Sequence, residues 1–188
     1  THIEREQTGR VFRDTIHMRP IAFRNDAGYL ERSVHNWEQG DALRPHAITK
    51  APMMVTMAAD GMRRIHPTRE LDRYFEIGAP FIKPAGSWQK VNLGAATRKG
   101  NAVTWQTANA DVNVVFAGHY VKLGIELKNG WQPPGGVVAF PVGLNGLTRK
   151  GSVLLRDGVP VMHMRAPHVE DAANLMDVRP IATDFVQV

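Results

Sequence analysis

The chain is 188 residues long, 43% hydrophobic and carries a formal charge of +5, enough apolar material to bury a core without crosslinks. It has no cysteine, which excludes disulfides and thiolate metal sites. No apolar run is long enough to cross a bilayer as a helix, and no signal-peptide pattern of charge, apolar stretch and cleavage site is present, so no membrane insertion is expected.

Four segments share one layout: β-prone residues, a short Asp/Asn/Gly turn, then β-prone residues again. They are IHMRPIAF-RNDAG-YLERSV, MMVTMAA-DG-MRRI, DVNVVFA-GH-YVKLGIEL and SVLLR-DG-VPVMHM. Asp-Gly tolerates the positive φ of tight hairpin turns, so each segment reads as two antiparallel strands. In chain order, Val11 to Phe23 and Tyr29 to Trp37 make the first hairpin. Met53, Val55 and Met57 alternate with Met54, Thr56 and Ala58, giving one apolar face and one mixed face. One helical turn is expected at Thr68 to Arg73, after Pro67. Tyr74 to Ile82, Ser87 to Leu93 and Ala102 to Thr107 are further strand candidates.

The cleanest period-2 pattern follows. Val112, Val114 and Phe116 alternate with Asn113 and Val115, and Val121, Leu123, Ile125 and Leu127 with Lys122, Gly124, Glu126 and Lys128. His119 falls at the turn between them, where it is expected to be solvated. The stretch GWQPPGG reads as a loop before a strand over Val137–Leu144. From Pro167 to Met176 the residues Val169, Ala172, Ala173 and Met176 have helical spacing, with Glu170 and Asp171 suited to an N-terminal dipole, so two turns of helix are expected there.

Many short strands with almost no helix predict an all-β fold, an antiparallel β-sandwich built from hairpins. No composition shift divides the sequence, so it reads as a single domain over residues 1–188, weakest at Trp131–Gly136. The chain opens on Thr1 and stops in the strand-like DFVQV, which suits either a processed chain or an excerpt of a longer one. RPIA occurs at Arg19–Ala22 and again at Arg179–Ala182, as an array of related units would show, although the HMR echo at His17 and His163 has a different offset.

Charge is uneven. Residues 1–100 hold 16 Lys+Arg against 11 Asp+Glu, whereas residues 101–188 hold 7 of each. The excess is densest at Arg63, Arg64, Arg69 and Arg73, but Glu70, Asp72 and Glu76 interleave with them, and no RNA-recognition, helix-turn-helix or zinc-finger pattern accompanies them. That is the layout of a solvated face or a packed interface more than of a nucleic-acid site.

Catalytic signals are few. The eight histidines show neither His-Glu-x-x-His nor His-x-His spacing, and the nearest cluster for a metal is His163, His168, Glu170 and Asp171. Ser33, Ser87 and Ser152 lie outside any Gly-x-Ser-x-Gly elbow. No Walker loop or dinucleotide fingerprint is present, so no cofactor is implied. Glu126 beside Asp111 or Glu76 could form a carboxylate pair, as neighbouring strands in many β proteins do. Trp37, Trp88, Trp105 and Trp131 are either core residues or platforms for sugar rings, and burial is the commoner fate of tryptophan in a sandwich.

The segment RPIAFRNDAGYLERSV resembles the hairpin that recurs in repeat-rich bacterial surface proteins and phage virion proteins, through Pro20, Ile21, Phe23, Asp26, Gly28 and Tyr29. The stretch from SWQKVNL through AVTWQT to DVNVVFAGHYVKLGIELK is similar to β-rich modules of phage tail and adhesin-type proteins. The resemblance implies a structural or attachment role in an assembled particle such as a virion and carries over no catalytic residues, so no enzyme is expected, and the motifs imply no cofactor or metal. Other copies of the chain or neighbouring structural proteins are the expected partners. The interface is expected at Arg63, Arg64, Arg69, Arg73, Met53 and Met57. The alternative is a glycan-binding or host-attachment module on a cell surface using Trp37 and Trp131, and a metal-dependent hydrolase ranks third.

Overall fold

The computed structural model describes residues 22–118 and 120–166, and beyond them the strands His2–Gln7, Arg10–Thr15, His168–Glu170 and Val178–Pro180. His119 lies outside the described residues, as do 16–21 and 171–177. The fold is all-β, with seven antiparallel sheets among the described residues. The chain divides into two compact units, Thr1–Asn145 and Gly146–Val188.

In the first unit, β1 (His2–Gln7) pairs with β2 (Arg10–Thr15), and β3 (Ala22–Arg24) with β4 (Leu30–Arg32). Next, β5 (Glu38–Gln39), β6 (His46–Ile48), β7 (Met54–Met57), β8 (Arg63–His66) and β9 (Tyr74–Ile77) run as an antiparallel meander. The chain then leaves that sheet: β10 (Phe81–Ile82) pairs with β11 (Gln89–Lys90). A second meander joins β12 (Ala96–Lys99), β13 (Ala102–Gln106), β14 (Ala110–Phe116) and β15 (Val121–Leu127). Returning, β16 (Val138–Ala139) joins β10, and β17 (Val142–Asn145) closes on β9 to complete a six-stranded sheet. Pro84–Gly86 and Pro134–Gly136 form single 3-10 turns. No helix among the described residues is long and apolar enough to cross a membrane.

Alternation builds the core. In β14 the odd side chains Asp111, Asn113 and Val115 are half-buried, while Val112, Val114 and Phe116 are buried. Register places Val103 opposite Val114 and Trp105 opposite Val112, so one face of the four-stranded sheet is a continuous apolar layer. Each such side chain contributes roughly 1.5–3 kcal/mol relative to exposure. Ile48, Val55, Met57, Ile65 and Phe75 form the corresponding layer on the six-stranded sheet.

Directed polar contacts tie these layers together. The Trp105 indole N–H donates to the Ala59 carbonyl at 3.3 Å, and that of Trp37 to the Asn101 carbonyl at 3.0 Å. The Asp60–Gly61 turn lies under Trp105. Gly61 has φ +86°, and a Cβ there would stand 2.5 Å from Leu93 Cδ1, so the turn needs glycine for both reasons.

In the second unit, β18 (Thr148–Lys150), β19 (Val153–Arg156) and β20 (Val159–His163) form a meander over buried Leu154. Asp157 and Gly158 turn between β19 and β20 with φ 49° and 83°, the doubly positive turn that the Asp-Gly pair predicts. The last pair is β21 (His168–Glu170) with β22 (Val178–Pro180).

Several expected elements are corrected. Residues 168–170 are a strand, not the start of a helix over Pro167–Met176. Two helical turns are too short to stand alone, whereas Val169 opposite Arg179 completes a ladder. Residues 68–73 form turns with Arg69 at φ 65°, not a helical turn. The first hairpin is narrower than Val11–Phe23 with Tyr29–Trp37: Ala22–Arg24 pairs with Leu30–Arg32, and Arg10–Thr15 pairs with the residues before it. Tyr74–Ile82 is two strands in different sheets, broken at Gly78–Pro80, where proline removes a ladder donor.

Candidate interaction surface

The arginine run expected as an interface is consumed within the fold. In β8, successive residues point to opposite faces, so Arg63 faces the core while Arg64 faces outward. Arg63 is fully buried. Its guanidinium donates to the Gly61 carbonyl at 3.3 Å and the Gly78 carbonyl at 3.0 Å, and lies 5.8 Å from the Phe140 ring centroid. Its Nε has no partner, and burial lowers its pKa to about 10, so it stays a cation at neutral pH. Arg64 pairs with its cross-strand neighbour Glu76 at 2.6 Å and stacks on Tyr74 at 4.3 Å.

Arg69 reaches across the chain. It contacts Asp26 at 3.1 Å, donates to the Thr49 and Ala51 carbonyls at 2.7 Å each, and covers the Phe23 ring at 4.6 Å. Arg73 pairs with Glu70 at 3.4 Å. Met57 is fully buried and Met53 half-buried. Of the six expected interface residues, Arg63 and Met57 therefore offer no surface, and Arg64, Arg69 and Arg73 spend their charge inside the molecule.

His66 sits beside this run, buried, its ring tilted against Tyr74. Its Nδ1 lies 3.1 Å from the Glu70 carbonyl, which can only accept, so the neutral ring carries its proton on Nδ1. Burial pushes its pKa below 6.5, against the carbonyl bond, and Arg44 and Arg64 push the same way. His46 is lowered likewise, by burial first and Arg98 second. Because the folded pKa lies below the unfolded one, the unfolded chain takes up protons first, and stability falls as pH drops below about 6.5. We expect the urea midpoint to fall between about pH 7 and about pH 5.5, and His66→Asn, which keeps a donor for Glu70, to flatten that fall. An unchanged slope in the variant would sink the assignment.

The other candidates are placed as follows. Asp111 and Glu126 stand directly opposite each other on β14 and β15, as a carboxylate pair would require, but the Lys128 ammonium holds Asp111 at 2.6 Å. Glu76 lies in the other sheet, bound to Arg64. Ser152 Oγ is 2.7 Å from His163 Nε2, a contact that the sequence pattern did not flag. Both residues are exposed on the second unit, where the bond joins the residue before β19 to the last residue of β20. No group of three metal-ligating side chains gathers among the described residues, and Asp171 of the expected cluster lies outside them.

The tryptophans do not share one face. Trp37 and Trp105 are core residues, which removes Trp37 from any glycan platform. Trp131 is half-buried and walls an apolar groove of about 210 Å³ with Ile82, Val91, Ile125 and Val138. Trp88 is exposed, with the Lys83 ammonium 5.4 Å over its ring. Val91 also borders a mixed cleft of about 220 Å³ where Lys90 bonds Asp60 at 2.9 Å, a bond that holds the Asp60 carboxyl below its usual range.

Part of what remains exposed is apolar. The Arg69–Asp26 contact ties the turn before β4 to the turns that follow β8, and near these ends Tyr29, Leu30 (the first residue of β4) and Leu71 are 73%, 74% and 74% exposed. Compared with known proteins, the chain matches no family model, no curated protein and no solved structure.

Proposed function

We propose that this chain is a non-enzymatic structural component of a larger assembly, acting through contacts with neighbouring proteins or other copies of itself. The observation that carries the reading is the exposure of three large apolar side chains, Tyr29, Leu30 and Leu71, on segments that the Arg69–Asp26 contact ties together. Large apolar side chains on backbone that is already fixed lose little freedom on docking and gain burial, which suits a protein contact. The basic run, by contrast, is already neutralised by Glu76, Asp26 and Glu70, so it offers little to a nucleic acid. A phage virion, in its tail or beside its capsid, is the assembly that the resemblance around Pro20–Tyr29 favours, with the bacterial surface as the second setting.

Sedimentation velocity over about 1–100 µM is the test. Reversible association is expected, and Tyr29→Ser with Leu71→Ser should weaken it about fivefold or more. A monomer at every concentration would overturn the reading. Association indifferent to the double variant would remove these side chains as its surface.

A further inference from the structure

We infer that two copies of this chain pair through the free edge of β17, antiparallel and centred on Gly143. The inference rests on the assembly reading above and names one of its partners as a second copy. Three observations carry it.

The first is an apolar layer that runs out. Register lines up Val55, Ile65, Phe75 and Leu144 across the six-stranded sheet, and their exposures are 0%, 3%, 6% and 39%. A parallel row runs Met57, Arg63, Ile77 and Val142, buried at its start and 45% exposed at Val142. The layer reaches the edge strand and meets solvent there.

The second is the absence of protection at that edge. Most other edge strands among the described residues carry a charge or a proline: Glu38 in β5, Arg98 and Lys99 in β12, Lys122 and Glu126 in β15, Arg149 and Lys150 in β18, and Pro160 in β20; β16, only two residues long, is the other one without. Charges and prolines of this kind block edge-to-edge pairing. The β17 sequence, Val-Gly-Leu-Asn, has none, although it is four residues long and exposed throughout.

The third is self-complementarity. The Gly78 N–H donates to the Pro141 carbonyl, so in the alternating ladder the pairs Glu76 with Gly143 and Tyr74 with Asn145 are the hydrogen-bonded ones. That directs the N–H and C=O of Val142 and Leu144 away from β9. A twofold axis through Gly143 and normal to the sheet sets Val142 against the partner's Leu144, and Leu144 against the partner's Val142. Each pair exchanges two backbone hydrogen bonds, and the apolar faces of both sheets stay on the same side. No like charges meet, and Gly143 faces its own copy at the close, non-hydrogen-bonded position, where Cα atoms stand about 4.5 Å apart. Four residues a side make a small contact, so affinity in the tens of micromolar is expected for isolated copies (about 10⁻⁵ M), rising where an assembly holds them together.

The test uses the full chain. Leu144→Pro removes an outward N–H, which an edge strand tolerates, and Leu144→Lys places a charge on the edge; each also trims the apolar row at Leu144. Both should raise the dimer dissociation constant at least about tenfold, and Leu144→Ala, which trims the same side chain without a charge or proline, should lower the melting temperature as much while weakening pairing far less. The natural sequence has no cysteine, so Gly143→Cys supplies a single thiol that should give a disulfide-linked dimer on mild oxidation, because about 4.5 Å is within bridging range, whereas Asn145→Cys should not. Association that survives both Leu144→Pro and Leu144→Lys, or a Gly143→Cys protein that crosslinks no faster than Asn145→Cys, would overturn the pairing. If association then falls with Tyr29→Ser and Leu71→Ser, the assembly reading still stands; a monomer throughout overturns both.

Discussion

Replacing Arg63 by alanine is expected to destabilise the protein by about 3 kcal/mol, and replacing it by methionine by no more than about 1 kcal/mol. Arg63 is an unusual core residue: fully buried, cationic, held by two carbonyls and an aromatic ring, with no carboxylate paired to it among the described residues. Two effects oppose each other. Deleting the side chain opens a cavity beside Ile77 and Phe140 and strips donors from the Gly61 and Gly78 carbonyls, while deleting the charge removes a desolvation cost. In alanine the cavity dominates. Methionine fills much of the same volume without the charge, so the relief of desolvation offsets most of the lost hydrogen bonding. Urea unfolding followed by tryptophan fluorescence reads the difference. If methionine is as damaging as alanine, the carbonyl bonds and not the packed volume hold this site. The alkaline limb gives a second check: burial lowers the folded pKa to about 10, below that of the unfolded chain, so the unfolded chain binds more protons as pH rises past about 10. The wild type should therefore gain stability relative to Arg63→Met over that range.

How much of this was legible in the sequence depends on how local the signal is. The β14 alternation and the Asp157–Gly158 turn were readable, because period-2 burial and positive φ are properties of a few adjacent residues. The closure of β17 on β9 was not, since it joins segments more than sixty residues apart, with the second sheet between them. The helix expected at Pro167–Met176 failed for a related reason. Its spacing was helical, but strand pairing with Val178–Pro180 decided the outcome at residues 168–170. The arginine run shows the same limit at the candidate site. Its interleaving with Glu70 and Glu76 hinted at a packed, neutralised stretch, yet nothing local reveals that Arg69 would reach Asp26, forty-three positions away, or that Arg63 would turn inward. An alternating strand of two arginines must put one of them on the core face. That signal lies in the Arg63–Arg64 pair itself.

Arg69→Ala is the second large effect, about 2–3 kcal/mol, and it should be concentrated in one hairpin. The exposed ion pair with Asp26, whose side chain is 76% exposed, contributes little by itself. Most of the stabilisation comes from charge-assisted bonds to the Thr49 and Ala51 carbonyls and from the guanidinium plane over Phe23, a buried ring that alanine would leave open. Four variants separate these contributions. Asp26→Ala should cost less than about 0.5 kcal/mol. Arg69→Lys should recover less than half of the alanine loss, because an ammonium taking the place of Nη1 between the two carbonyls neither reaches Asp26 as Nε does nor lies flat on the Phe23 ring. Arg69→Gly should be milder than alanine by about 1 kcal/mol, since φ 65° strains any residue with a Cβ. Hydrogen exchange should show β3 and β4 opening in Arg69→Ala while β13 and β14 keep their protection, because the Trp105 layer does not depend on the clamp. Uniform loss of protection would mean that the hairpin is part of the cooperative core. Confined opening would mean that Arg69 is what ties the segment of Tyr29 and Leu30 to that of Leu71, so the same variant should weaken any association made through those side chains.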